Sequence, residues 1–168
     1  MTNKSGKRAS KAAIKAHTPE SLITFRVSVL SQLLSRLVDN AVSEELDLSS
    51  RQWRVLVILN RIGAATSGEV ARMAHLDHSQ VSRVSFELAK LGMLALSNDA
   101  TDRRKQVLSI TPSGLDKLKQ GIPGSLARQE RLRARLTDDE YDTFCRALDI
   151  LTDEAQQMHP RGRTKSGE

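Results

Sequence analysis

The 168-residue chain carries 26 Lys and Arg against 20 Asp and Glu, a formal net charge of +6. That length suits one elaborated domain and can bury a core without disulfides or a structural metal. The single cysteine, Cys145, excludes an internal disulfide framework and a Cys-rich zinc module. Aromatic residues at 3% argue against a base-stacking platform for single strands, and no apolar run reaches the ~18 residues a membrane span needs.

The charge is unevenly placed. Residues 1–17 hold Lys4, Lys7, Arg8, Lys11 and Lys15 with no acid, and residues 159–168 add +2, so the body from 18 to 158 is near neutral at −1. Within the body, 51–110 is +4, between flanks of −3 (18–50) and −2 (111–158). A basic middle steers a protein toward polyanions, DNA above all. The first fifteen residues are basic without an apolar segment, so no secretory leader is expected there.

In chain order, residues 1–17 read as a disordered tail. Thr18-Pro19-Glu20 is expected to open a first helix, with Thr18 as cap and Pro19 in the first turn. Ile23, Val27, Leu30, Leu34, Leu37 and Ala41 form one apolar stripe; Leu22, Val29, Leu33 and Val38 form a second. A helix apolar on two sides needs covering on two sides, by its own domain and by a partner subunit. Ser49-Ser50 caps a helix from Arg51 to Asn60, ended by Gly63. Thr66 and Glu69 make a capping box for a short helix to His75. Asp77 and Gln80 repeat that pattern for a helix to Leu91, closed by Gly92.

Met93–Ser97 and Gln106–Ile110 are strand-like and enclose a long, polar, basic tip, which predicts a β-hairpin. Thr111-Pro112 opens a helix in which Gly121-Ile122-Pro123-Gly124 predicts a kink or break. Thr137-Asp138-Asp139-Glu140 caps a last helix with Tyr141, Phe144, Leu148, Leu151, Ala155 and Met158 as its apolar stripe. Residues 159–168 read as a second disordered tail.

Two capped helices with a tight turn, followed by a basic hairpin, spell a winged helix-turn-helix. The second helix fits a DNA major groove. It would present Ser79, Gln80, Ser82 and Arg83 outward and hold on through Val81, Val84, Leu88 and Leu91. The hairpin tip offers Arg103, Arg104 and Lys105 to a minor groove or to phosphates, with Asp102 as a brace for the Arg104 guanidinium.

The stretches LSSRQWRVLVIL, TSGEVARMAHLDHSQVSRVSFELAKLGML, TDRRKQVLSIT and TPSG, in this order, resemble the MarR family of bacterial transcriptional regulators. Asp102-Arg103-Arg104 matches that family's Asp-x-Arg wing motif, and the flanking helices extend the resemblance over 18–158. It implies a mostly α fold with a small β-wing: a winged helix-turn-helix lobe (51–111) and a helical dimerisation lobe (18–45 and 112–158). It further implies a cytoplasmic homodimer on a pseudo-palindromic operator in double-stranded DNA, with no membrane and no cofactor. A small effector, an aromatic or phenolic acid or its CoA thioester, would bind between the lobes and release the DNA. The basic tail at 1–17 is not part of the family pattern.

Several residues carry two readings. Trp53 is a core residue or lines the effector cleft. Arg26 anchors an effector carboxylate or snorkels to solvent. Ser79, Gln80 and Ser82 contact DNA or serve the helix start. His78 touches phosphate or is idle. Cys145 is expected to be a buried inert thiol rather than a redox sensor. His75 and His78 are too poor a set for a metal, and no catalytic motif is present. The rival functions are an architectural or weakly specific DNA-binding protein without effector, and a winged-helix adaptor whose wing meets an acidic protein.

Overall fold

The computed structural model describes residues 18–99, 102 and 105–158. The two tails and the tip residues 100, 101, 103 and 104 lie outside that description. Elements follow the order α1 (Ile23–Leu46), α2 (Ser50–Ile62), β1 (Ala65–Thr66), α3 (Ser67–Ala74), α4 (His78–Lys90), β2 (Leu94–Asn98), β3 (Gln106–Ile110), α5 (Pro112–Arg133) and α6 (Asp138–Met158). The mostly helical fold with a small β-wing is present as expected. Two compact units divide within α5, at Gly121 and Ile122. Among the described residues, no helix is long and apolar enough to cross a membrane.

Local chemistry sets most boundaries in the first unit. Ser49 and Gln52 form a full capping box at α2: the Gln52 amide donates to Ser49 Oγ, and Gln52 Oε1 accepts from the Ser49 amide at 2.8 Å. Thr66 and Glu69 do the same at α3. Gly63 and Gly92 end or follow helices at φ +80° and +71°, a region open to glycine. The Asp77 backbone has capping geometry at α4, but its carboxylate makes no capping bond, unlike the expected box. Thr18 opens only a 3-10 turn, Pro19–Ser21, and extended Leu22 separates it from α1.

The core of this unit joins α2, α3, α4, β3 and α5 through Leu56, Val70, Val81, Leu88, Leu108 and Leu118, each at most 2% exposed. Only the end of α1 shares it, through Val42 and Leu46. Trp53 is 6% exposed and belongs to this core. A Cβ on Gly121 would stand 2.5 Å from Leu46 Cδ1 and 2.6 Å from Trp53 Cη2, so α5 approaches these side chains only because residue 121 has none. Helix α5 continues through Gly121-Ile122-Pro123-Gly124, so the chain does not break there. Pro123 lies inside this helix and removes one N–H from its ladder.

Three antiparallel strands form the sheet in the order β1-β3-β2. Leu108 of β3 stands opposite both Ala65 of β1 and Leu96 of β2. The strand β1 was not expected; it consists of the two residues that lead into the α3 capping box. At the sheet's base the Thr111 amide donates to the Met93 carbonyl at 3.1 Å, and Thr111 Oγ1 donates to the Gly92 carbonyl at 2.6 Å. Gly114 packs directly over that Met93 carbonyl.

In the second unit, Thr137 and Glu140 form the expected capping box of α6. Arg133 pairs with Asp138 and stacks on the Tyr141 ring at 4.4 Å. The apolar residues here stay open: Leu126 is 64% and Ile150 61% exposed. Cys145 is half-buried, not the buried thiol expected, because it lies on a helix with no buried residue. A hydrogen bond with its thiol pushes the Tyr141 phenol above its ordinary value.

Candidate nucleic-acid interface

Helices α3 and α4 are joined by a three-residue turn. His75 adopts the left-handed conformation, φ 51° and ψ 46°, and the Leu76 amide donates back to the Ala71 carbonyl at 3.0 Å. This reversal lets α4 leave the domain with one face buried and one open. Val81, Val84 and Leu88 are buried as expected. Leu91 is not: it is 52% exposed, because the helix ends at Lys90 and residue 91 leaves the helical register. Ser85 joins the buried face instead, and among the described residues its hydroxyl has no hydrogen-bond partner.

The open face carries Ser79, Ser82 and Arg83, all exposed, while Gln80 is half-buried. Two residues that the sequence reading missed continue this face: Phe86 is 56% exposed, and Lys90 Nζ lies 4.7 Å from its ring centroid. Their signal was available, since positions 79, 82, 83, 86 and 90 recur at helical spacing off the valine–leucine stripe. Glu87, beside Phe86, accepts a bond from Gln52 Nε2 at 3.1 Å, which ties α4 to α2.

The wing narrows toward its tip through hydrogen bonds from the Asp99 amide to the Lys105 carbonyl (2.9 Å) and from the Lys105 amide to the Asp102 carbonyl (2.8 Å). The Asp102 carboxylate lies 3.9 Å from Lys105 Nζ. Arg103 and Arg104 lie outside the described residues, and so does the brace expected between Asp102 and Arg104. Between wing and α4 is a cleft of about 480 Å³, lined among others by Ser67, Gly68, His78, Ser82, Lys105 and Gln106. Ser82 and Lys105, placed on the interface by sequence, thus meet at one cleft.

Arg26 and Trp53 are not brought together. Arg26 is exposed near the start of α1, whereas Trp53 packs at Gly121 beside Leu46, the last residue of that helix. Twenty residues of helix separate Arg26 from Leu46, roughly 30 Å at 1.5 Å per residue.

Comparison with known proteins places the fold. The MarR family profile matches residues 46–105, from the end of α1 to the wing. A putative transcriptional regulatory protein for the hcr operon of Thauera aromatica is 30% identical over 95 residues, 56% of this chain and 57% of that protein. The chain therefore matches under two thirds of that relative's length. The multiple antibiotic resistance protein MarR of Salmonella typhimurium is 28% identical over 120 residues, 70% of this chain and 82% of that one. The structure of Bordetella bronchiseptica BpsR, described with its DNA binding regulated by 6-hydroxynicotinic acid, superposes with a TM-score of 0.75 at 21% identity, over 82% of this chain and 97% of that one. A capped helix pair followed by a sheet-anchored wing is what the profile spans, and over residues 46–105 the chain is similar to the MarR family.

Proposed function

We propose that this protein is a homodimeric, sequence-specific DNA-binding regulator, a repressor that a small aromatic acid or its CoA thioester releases from its operator. The observation that carries the reading is the two-faced α4. Its buried side is fixed by Val81, Val84 and Leu88, and its open side offers Ser79, Ser82 and Arg83 beside the wing. An arginine so held can bond both O6 and N7 of guanine in the major groove, and Lys105, which lines the same cleft as Ser82, is proposed for a phosphate. Gln80, half-buried, supports the helix start more than it reaches outward. Arg104 is proposed for the minor groove and Arg103, like Lys105, for a backbone phosphate.

The homodimer reading rests on exposed apolar surface. Along α1, Ile23, Val27, Leu30, Leu33 and Leu37 are each 44% or more exposed. Such a stripe calls for a cover, and a second copy supplies one symmetrically. Two recognition helices would then meet half-sites about one turn apart, roughly 34 Å. The effector reading takes its support from BpsR, whose ligand is an aromatic acid. Arg26 is proposed for the effector's carboxylate. One ligand touching both Arg26 and Trp53 would have to bring them from different protomers, given their separation along one chain.

The test is a gel shift with wild type and Arg83→Ala on a selected operator and on random DNA at one salt concentration. Losing a bidentate base contact weakens operator binding by about 5- to 150-fold, corresponding to roughly 1–3 kcal/mol, and random-DNA binding far less. Equal operator binding by both proteins overturns the site. Equal affinity of wild type for both DNAs identifies a weakly specific binder instead.

A further inference from the structure

The open face of α4 is not uniformly polar. Of the large apolar side chains on this helix, Val81, Val84 and Leu88 are buried, whereas Phe86 is exposed. Phe86 is no outlying edge of the buried stripe. At about 100° per residue it stands roughly 160° from Leu88 and about 60° from Arg83. Ser79, Arg83, Phe86 and Lys90 follow one another at spacings of four, three and four, so they form one row along the outward side.

Both neighbours of the ring in this row are cations, and Lys90 Nζ lies over the ring, 4.7 Å from its centroid. The one acid beside Phe86 is engaged elsewhere: the Glu87 carboxylate accepts from Gln52 Nε2 at 3.1 Å, which turns it toward α2. A second copy of this helix is a poor cover for the ring, because two such rows would bring like charges together. A duplex is a good one. Its phosphates suit Arg83 and Lys90, and its major groove offers an apolar group, the C5 methyl of thymine.

We propose that Phe86 seats the C5 methyl of a thymine in the operator's major groove, at the base pair next to the one that Arg83 reads. The proposal rests on the DNA-binding reading above and deepens it by setting an apolar reader beside a polar one. Three residues of helix advance about 4.5 Å, a little more than the roughly 3.4 Å between successive base pairs, so the ring falls on the neighbouring pair. Cytosine lacks the methyl and presents an amino group to the groove, so a C·G pair there sets the ring against a polar surface. The ring selects thymine without a hydrogen bond.

The test takes an operator selected from random duplexes and exchanges each thymine in turn for deoxyuridine, which pairs alike and lacks only the methyl. Fluorescence anisotropy is measured with wild type, Phe86→Ala and Phe86→Leu. At one position in each half-site the exchange weakens wild-type binding about 4-fold, the value of burying one methyl group. Phe86→Ala binds both duplexes alike, and Phe86→Leu keeps part of the difference. Cytosine and then 5-methylcytosine at that position return the methyl on another base: wild type regains about 4-fold and Phe86→Ala gains nothing. The salt slope of Phe86→Ala equals that of wild type, since no phosphate contact is lost. Its melting temperature and sedimentation stay close to wild type, as suits an exposed side chain outside the subunit contact. An equal deoxyuridine effect in wild type and Phe86→Ala overturns the proposal, and so does the absence of any such effect. A shift of Phe86→Ala toward monomer assigns the ring to a protein contact and overturns it as well. Each of these results leaves the DNA-binding reading standing. Wild type that binds no duplex removes that reading and the proposal together.

Discussion

Gly114→Ala sets two physical effects against each other in one methyl group. Helix propensity favours alanine over glycine by about 1 kcal/mol. Packing opposes it: a Cβ at residue 114 would overlap the Met93 carbonyl oxygen and stand 2.8 Å from Ile110 Cγ2. The oxygen is backbone, and it accepts the Thr111 amide at the root of the wing. It cannot turn aside as a side chain can. Overpacking of this kind costs about 1–3 kcal/mol. Shifting the carbonyl also weakens the Thr111–Met93 bond, worth about 1 kcal/mol. The net expectation is a loss of about 2 kcal/mol, or a fall of roughly 4–8 °C in Tm for a chain of this size. Thermal unfolding followed by circular dichroism reads this, at one protein concentration because self-association shifts Tm. Gly68→Ala is the control, since nothing lies within 4 Å of its Cβ position; it should be neutral or up to about 1 kcal/mol more stable. A Gly114→Ala protein melting at or above wild type would refute the packing argument and leave propensity in charge.

Three further outcomes are expected. Ser85→Ala removes a buried, unpartnered hydroxyl from α4 and should raise Tm by a few degrees, about 2–4 °C per kcal/mol gained; a lower Tm would show that the hydroxyl has a partner in solution. Glu69 and Glu140 are both held below the ordinary value of 4.5, first by the Thr66 and Thr137 amides, so their contribution is present above that value and lost as pH falls below it. The double variant Glu69→Gln/Glu140→Gln should flatten the acid limb of urea midpoints below about pH 4.5, and an unchanged limb would remove these groups from the account. Leu33→Glu places a charge on the 57%-exposed apolar stripe of α1. It should shift sedimentation toward monomer with the helical spectrum retained, and an unaltered dimer would place the interface elsewhere.

The legible parts of this fold were those written in short-range chemistry. Ser49 with Gln52, Thr66 with Glu69 and Thr137 with Glu140 are each three residues apart, so the helices they open could be read without knowing what packs where. The valine–leucine stripe of α4 was equally local. What escaped depended on distant partners. Strand β1 exists only because β3 pairs with it. The approach of α5 to Leu46 and Trp53 depends on Gly121 having no side chain. The separation of Arg26 from Trp53 needed the full length of α1. On α4, periodicity places Ser79, Ser82 and Arg83 on the open face, but gives no reason to expect an apolar Phe86 there as well. The Ser85 hydroxyl had no sequence signal, since only burial makes an unpaired oxygen conspicuous.

The register of β3 has a consequence for how this protein can change over time. Leu108 is fully buried and is the shared partner of both outer strands. One residue inserted into β3 would turn that side chain to the opposite face and misalign both pairings at once, including the one that leads into α3. An insertion between Asn98 and Gln106 disturbs neither ladder. The hairpin thus has a tip open to lengthening, shortening and new residues, mounted on a base that is not. Descendants of this chain can vary the sequence between Asn98 and Gln106 while the fold that presents it stays insulated from the change.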